Sequence, residues 1–124
     1  MQLTPYLSFN GQCEEAFRFY ERAIGARITF LLPHSDGQAG ILHATLHVGD
    51  QTVNGADTSP QHYEKPKGFS LALATKDPAE AERLFNALAE GGEVQMPLQQ
   101  TFWSPRFGML VDRFGISWMI NCEG

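Results

Sequence analysis

The sequence is short of cysteine, of basic residues and of long apolar runs, and each shortage excludes a class of protein. Two cysteines in 124 residues, Cys13 and Cys122, are too few for a disulfide framework, and neither sits in a CxxC metal or redox pair. Lys and Arg total 9 against 14 Asp and Glu, a formal charge of −5 that repels phosphate backbones and anionic lipids. Neither nucleic acid nor a membrane is therefore expected as a partner. No apolar run approaches the roughly 18–20 residues that span a bilayer. The opening MQLTPYLSF lacks the basic and long apolar regions of a signal peptide, which sets the expectation of a cytoplasmic protein. What is present is core material: 43% hydrophobic against 19% charged residues in 13.8 kDa, enough for one domain over 1–124.

The organising feature is an internal repeat. After Asn10-Gly11-Gln12, apolar residues recur at Cys13, Ala16, Phe17, Tyr20 and Ile24, the spacing of an amphipathic helix, and Gly25 follows as a left-handed C′ residue. A second helix opens with Asp77 as N-cap, Pro78 in the first turn and Glu80 completing a capping box. It carries a stripe at Ala81, Leu84, Phe85 and Leu88, and Gly91-Gly92 ends it. The same spacing separates Gly25 from Gly49 and Gly91 from Gly115, each second glycine lying in a hairpin turn. Strand-like segments precede each helix (LTPYLSF, FSLALAT) and follow it (27–30, 93–96). Each half thus reads strand–helix–strand–strand–strand: a first module over 1–57, a linker over 58–67 and a second module over 68–124.

Strand alternation predicts which side chains share a face. Leu42, Ala44, Leu46 and Val48 form an apolar row, with His43, Thr45 and His47 opposite. Phe69, Leu71 and Leu73 oppose the small Ser70, Ala72 and Ala74. Ile116, Trp118 and Ile120 oppose Ser117, Met119 and Asn121. One face of each sheet is apolar enough for a core that includes Trp118, and the other is small or mildly polar, as a pocket lining would be.

The segments PYLSFNGQCEEAFRFYERAIGA, ILHATLHVGD and MPLQQTFWSPRFGMLVDRFGISWMIN resemble the PhnB-like group of the glyoxalase/vicinal-oxygen-chelate superfamily over essentially the whole chain. The resemblance implies an α+β fold of paired βαβββ modules, with U-shaped mixed sheets around a small-molecule cavity, and a homodimer. Relatives with glyoxalase-type chemistry hold a divalent metal on four cavity-facing positions, mostly His and Glu. Carried over, those positions fall near Tyr6 (or Pro5) and on Asn54, Ser70 and Met119. None is a histidine or carboxylate, so the resemblance implies no metal of the usual kind and no cofactor. Some relatives carry a ubiquinone-pathway methyltransferase label, yet no glycine-rich strand-to-helix turn for a nucleotide-type methyl donor is visible.

No other metal site is expected. His43 and His47 lie about 13 Å apart on a strand rising about 3.3 Å per residue, too far to share one ion. His34 with Asp36, and His62, read as solvated loop residues. His43 is the one candidate general base, against the plainer role of a hydrogen-bonded structural histidine. Tyr6 either donates to a ligand oxygen or fills the space a metal leaves. Phe102, Trp103 and Arg106 suit a flat anionic ligand, or else form a hydrophobic plug or dimer contact. Cys13 and Cys122 read as small buried hydrophobes. The sequence therefore predicts a metal-free small-molecule binding protein with Tyr6, His43, Thr45, Asn54, Ser70, Trp103, Arg106 and Met119 as ligand contacts. The alternative is an enzyme of the same superfamily (lyase, isomerase or dioxygenase) with unusual metal ligands or a metal-free His43 mechanism. A third reading is a filled cavity in a protein that acts through partner contacts.

Overall fold

The computed structural model describes residues 1–123. The chain divides into two compact units, residues 1–64 and from residue 65 onward. The first unit contains β1 (Tyr6–Phe9), α1 (Cys13–Ile24), β2 (Arg27–Pro33), β3 (Ile41–Val48) and β4 (Gln51–Asp57). The second contains β5 (Leu71–Thr75), α2 (Pro78–Ala89), β6 (Glu93–Gln99), β7 (Arg106–Val111) and β8 (Ser117–Cys122). In each unit the first strand runs parallel beside the last and the other pairs are antiparallel, giving the orders β1-β4-β3-β2 and β5-β8-β7-β6. This is the α+β class, with two four-stranded mixed sheets.

Both helices bury the stripes that their sequences carry. Cys13, Ala16, Phe17, Tyr20 and Ala23 of α1 are buried, and α1 packs against β2, β3 and β4; Ile24 is only half-buried. Ala81, Leu84, Phe85 and Leu88 of α2 are buried, with α2 against all four strands of its own sheet. Burying one side chain as large as Phe17 or Tyr20 contributes about 2–3 kcal/mol. Gly25 ends α1 with φ +73°, a conformation that a Cβ disfavours, and its N–H returns to Glu21.

The two helix starts differ. Asp77 caps α2, accepting from the Ala79 N–H at 3.1 Å, but the expected capping box is incomplete. The Asp77 N–H donates to Thr75 Oγ1, and Glu80 lies instead 4.0 Å from Arg83. Gln12 supplies no cap for α1. Asp57, at the end of β4, accepts from the Cys13 N–H and from the Ile41 N–H, each at 2.9 Å. This buried carboxylate ties together the start of α1, the start of β3 and the end of β4, although by sequence it marks only the edge of a polar stretch.

Two expected core residues, Leu42 and Phe69, are exposed, and Val48, Leu71 and Leu73 of the same rows are only half-buried. Leu42 is 47% exposed and Ile41 is buried in its place, because the β2–β3 register slips between Leu32 and Pro33 and turns the strand over. Phe69 is 54% exposed, since it precedes the first paired residue of β5. Trp118 is core, as expected, and its indole N–H donates to Asp112 Oδ2 at 2.9 Å. Asp112 Oδ1 accepts from the backbone N–H groups of Phe114 and Ile116, so one buried carboxylate shapes the whole β7–β8 turn.

Candidate ligand site

In the first unit, register places one row of side chains across all four strands. Tyr6 pairs with Asn54, Asn54 with Thr45, and Thr45 with Phe30. His43 lies two residues from Thr45 on β3, hence on the same face. The Thr45 hydroxyl donates to Asn54 Oδ1 at 3.0 Å. With its proton so engaged, Thr45 Oγ1 is left to accept from His43 Nε2 at a long 3.5 Å. That arrangement leaves His43 Nδ1 as the lone-pair nitrogen, and the Tyr6 phenol donates to it at 3.1 Å. Four residues chosen from sequence, Tyr6, His43, Thr45 and Asn54, thus form one directional chain from phenol to amide. Phe30 stacks beside the imidazole, with ring centroids 5.9 Å apart.

In the second unit, the equivalent row reads Ala72, Met119, Met109 and Met96. An open cavity of about 730 Å³ lies over this sheet. Phe69, Met109, Val111 and Met119 supply apolar wall, Ser70, Ser117 and Gln95 supply neutral polar groups, and Lys65, Lys67 and Glu93 supply charge. The Ser70 and Ser117 hydroxyls bond to each other at 2.8 Å. Gly68, at φ +86°, makes the turn that carries the chain from Lys67 into Phe69.

Trp103 and Arg106 line a different hollow of about 500 Å³, formed by residues 100–106, and not the cavity that Ser70 and Met119 line. Phe102 and Trp103 are exposed and meet edge to face, while Trp103 reaches Phe107. The Arg106 guanidinium donates to the Pro105 carbonyl and lies 3.9 Å from Glu82 on α2, so its charge is drawn to the helix side of the sheet. Phe102, Trp103 and Arg106, grouped in sequence, thus share one hollow, with the guanidinium engaged by the Pro105 carbonyl rather than free. His34 also departs from expectation. Its side chain is only 10% exposed, and Nε2 contacts the Asp57 carbonyl oxygen at 3.2 Å.

A family model described as 3-demethylubiquinone-9 3-methyltransferase matches residues 1–121. The chain is also 49% identical to PA1353 of Pseudomonas aeruginosa, whose crystal structure superposes with a TM-score of 0.92 over 99% of this chain and 98% of that one. The PhnB protein of Bacillus cereus is 26% identical, with a TM-score of 0.89 over 98% and 99% of the two chains. The chain belongs to the PhnB-like family. A glyoxylase/bleomycin resistance protein/dioxygenase domain from Frankia sp. EAN1pec shares the fold at 11% identity, with a TM-score of 0.75 over 100% of this chain and 98% of that one. The PhnB-like chain thus has the vicinal-oxygen-chelate fold.

The divalent metal held by catalysts of that superfamily does not fit the residues of this PhnB-like chain. The β1–β4 pair offers a phenol and an amide, Tyr6 and Asn54. The β5–β8 pair offers a methyl group and a thioether, Ala72 and Met119, because register sets Ala72 beside Met119 while Ser70 bonds Ser117. Zinc and its neighbours take imidazole, thiolate or carboxylate donors. Among the described residues, no three His, Cys, Asp or Glu side chains gather where they would hold an ion. The free thiols are equally unsuited: burial pushes Cys13 from 9.0 up to about 12, and the charges of Asp57 and Glu14 add to that rise.

Sequence reasoning missed Lys65, Lys67, Phe69 and Met109 as cavity residues. One signal was available: the linker carries two lysines within three residues in a chain of net negative charge.

Proposed function

We propose that this PhnB-like protein is a metal-free binding protein for a small organic molecule, acting as a cytoplasmic homodimer without nucleic-acid or membrane partners. The observation that carries the reading is the cavity of about 730 Å³ in the second unit. Small-molecule sites occupy about 300–1,000 Å³ and combine mostly apolar walls with a few polar groups, as Phe69, Met109, Val111 and Met119 do with Ser70, Ser117 and Gln95. The poor metal donors at Tyr6, Asn54, Ala72 and Met119 support the metal-free part. The methyltransferase in the family description is not part of this reading, since the sequence has no glycine-rich turn for a nucleotide-type methyl donor.

Native mass spectrometry of gently purified protein, followed by elemental analysis, tests the proposal. The expected result is a dimer that retains a small organic mass and no stoichiometric transition metal. One transition metal per chain would overturn it. The Tyr6–His43–Thr45–Asn54 chain supports a second reading, in which the protein is an enzyme of the lyase, isomerase or dioxygenase class and His43 Nδ1 takes a proton. Turnover abolished by His43→Ala, with the retained molecule still bound, would select that reading.

A further inference from the structure

We infer that the second-unit cavity selects an aromatic organic anion, with Lys65 and Lys67 as the groups that recognise its charge; this rests on the binding reading above. The chain has a formal charge of −5, yet two lysines separated by one proline line this single cavity. Among the described residues neither ammonium has an ion-pair partner, and the remaining charged group of the lining is the single carboxylate of Glu93. The lining therefore carries a surplus of positive charge in an otherwise acidic protein, which favours an anion and disfavours a cation. The Lys65 stem lies over the β7–β8 turn, where a Cβ built on Gly115 would sit 3.8 Å from Lys65 Cε. Its aliphatic part thus lies near Gly115, another residue of the cavity lining.

The wall specifies the other half of the ligand. Met109 and Met119 are register partners on neighbouring strands, so two polarisable thioethers lie side by side, with Phe69 in the same lining. Thioethers make favourable contacts with aromatic rings and adapt to their shape, and a phenylalanine offers a face for stacking. A flat ring against Phe69, Met109 and Met119, with a carboxylate or sulfonate toward Lys65 and Lys67, satisfies both halves of the lining.

A matched pair of dyes tests the charge separately from the cavity. 8-Anilino-1-naphthalenesulfonate and neutral N-phenyl-1-naphthylamine share one aromatic skeleton and differ in the sulfonate. Fluorescence titration at low salt should show the sulfonate bound on the order of fivefold more tightly, the scale of solvent-accessible ion pairs, and 0.5 M salt should erase the difference. Lys65→Gln/Lys67→Gln, a change of exposed residues, should lose the preference, so that the two dyes bind alike. Methionine-methyl NMR locates the dye: Met109 and Met119 resonances should shift on titration. Equal binding of both dyes to the unaltered protein, with those methyl shifts present, would overturn the anion inference and leave the binding reading intact. Absence of binding by either dye, or binding that leaves both methyl groups unmoved, would overturn the two together.

Discussion

Replacing Asp112 should be among the most damaging single changes in the second unit, and its cost follows from three hydrogen bonds. Oδ1 accepts from Phe114 N at 2.8 Å and Ile116 N at 3.0 Å, and Oδ2 accepts from Trp118 Nε1 at 2.9 Å. The residue is 3% exposed, so water does not readily replace the lost acceptor. Leaving a buried donor unpaired costs about 1–3 kcal/mol, and partial relaxation of three donors gives about 3–6 kcal/mol for Asp112→Ala. That is a large part of the roughly 5–15 kcal/mol that holds a domain folded. Asp112→Asn separates the contributions. Its carbonyl retains the two backbone donors, but its amide faces the indole N–H, donor against donor, at about 2 kcal/mol. Urea unfolding followed by far-ultraviolet circular dichroism measures both variants. In a Trp118→Phe background the Asn penalty should fall below about 1 kcal/mol, because the opposing donor is gone. A cost under about 1 kcal/mol for Asp112→Ala, or an Asn penalty unchanged by Trp118→Phe, would refute the assignment.

Glu21 accepts from the Ile28 N–H, and this bond, ahead of the weaker help from Arg18 and Arg22, holds its carboxyl below the usual 4.5. A lowered folded pKa gives stability that is present above pH 4.5 and is lost as pH falls through the folded pKa, so Glu21→Gln should shift the urea midpoint more at pH 7 than at pH 3; equal shifts at both would count against the bond. Cys13 works in the opposite direction. The unfolded thiol ionises above 9.0 while the folded one holds its proton to about 12, so stability should fall by about 1.4 kcal/mol per pH unit across that window and Cys13→Ala should remove that slope. Ala72→His with Met119→Glu should raise divalent-metal affinity at least about tenfold by calorimetry, because register sets the two side by side, and more than Ser70→His with Met119→Glu; no gain in a folded double variant would contradict the facing of β5 and β8.

The repeat, both helices and the facing of β8 are legible in the sequence because each rests on local periodicity and on punctuation such as Gly25, Asp77 and Gly115. What escaped depends on partners distant in sequence or on single-residue slips. Leu42 belongs to an unbroken alternation in sequence and leaves the core only because a bulge against β2 turns its strand. Asp57 reads as the edge of a polar linker, and its role as the missing cap of α1 needs a contact across 44 positions. The useful clue was negative, since Gln12 is a poor cap for an otherwise well-formed helix. Arg106 and Trp103 are near neighbours in the chain, but Glu82 and the Pro105 carbonyl hold the guanidinium on the helix side. Adjacency in sequence said nothing about that competition. The first-unit candidates fared differently: Tyr6, His43, Thr45 and Asn54 do converge, because one strand row and a two-residue step place all four on one face.

The parallel pairing of β1 with β4, and of β5 with β8, also sets the order in which each unit becomes complete. Tyr6 leaves the ribosome early, but its register partner Asn54 arrives only after the helix and two further strands have been made. Until then the leading strand has no permanent neighbour, and the β2-β3 hairpin must form with the β4 side of β3 vacant. Closing that edge requires a long loop of chain to be captured at once, the kind of non-local step that slows folding and keeps a hydrogen-bonding strand available to other molecules. The second unit repeats the delay with β5 and β8. Each unit therefore retires its leading strand from other contacts only when β4 or β8 emerges.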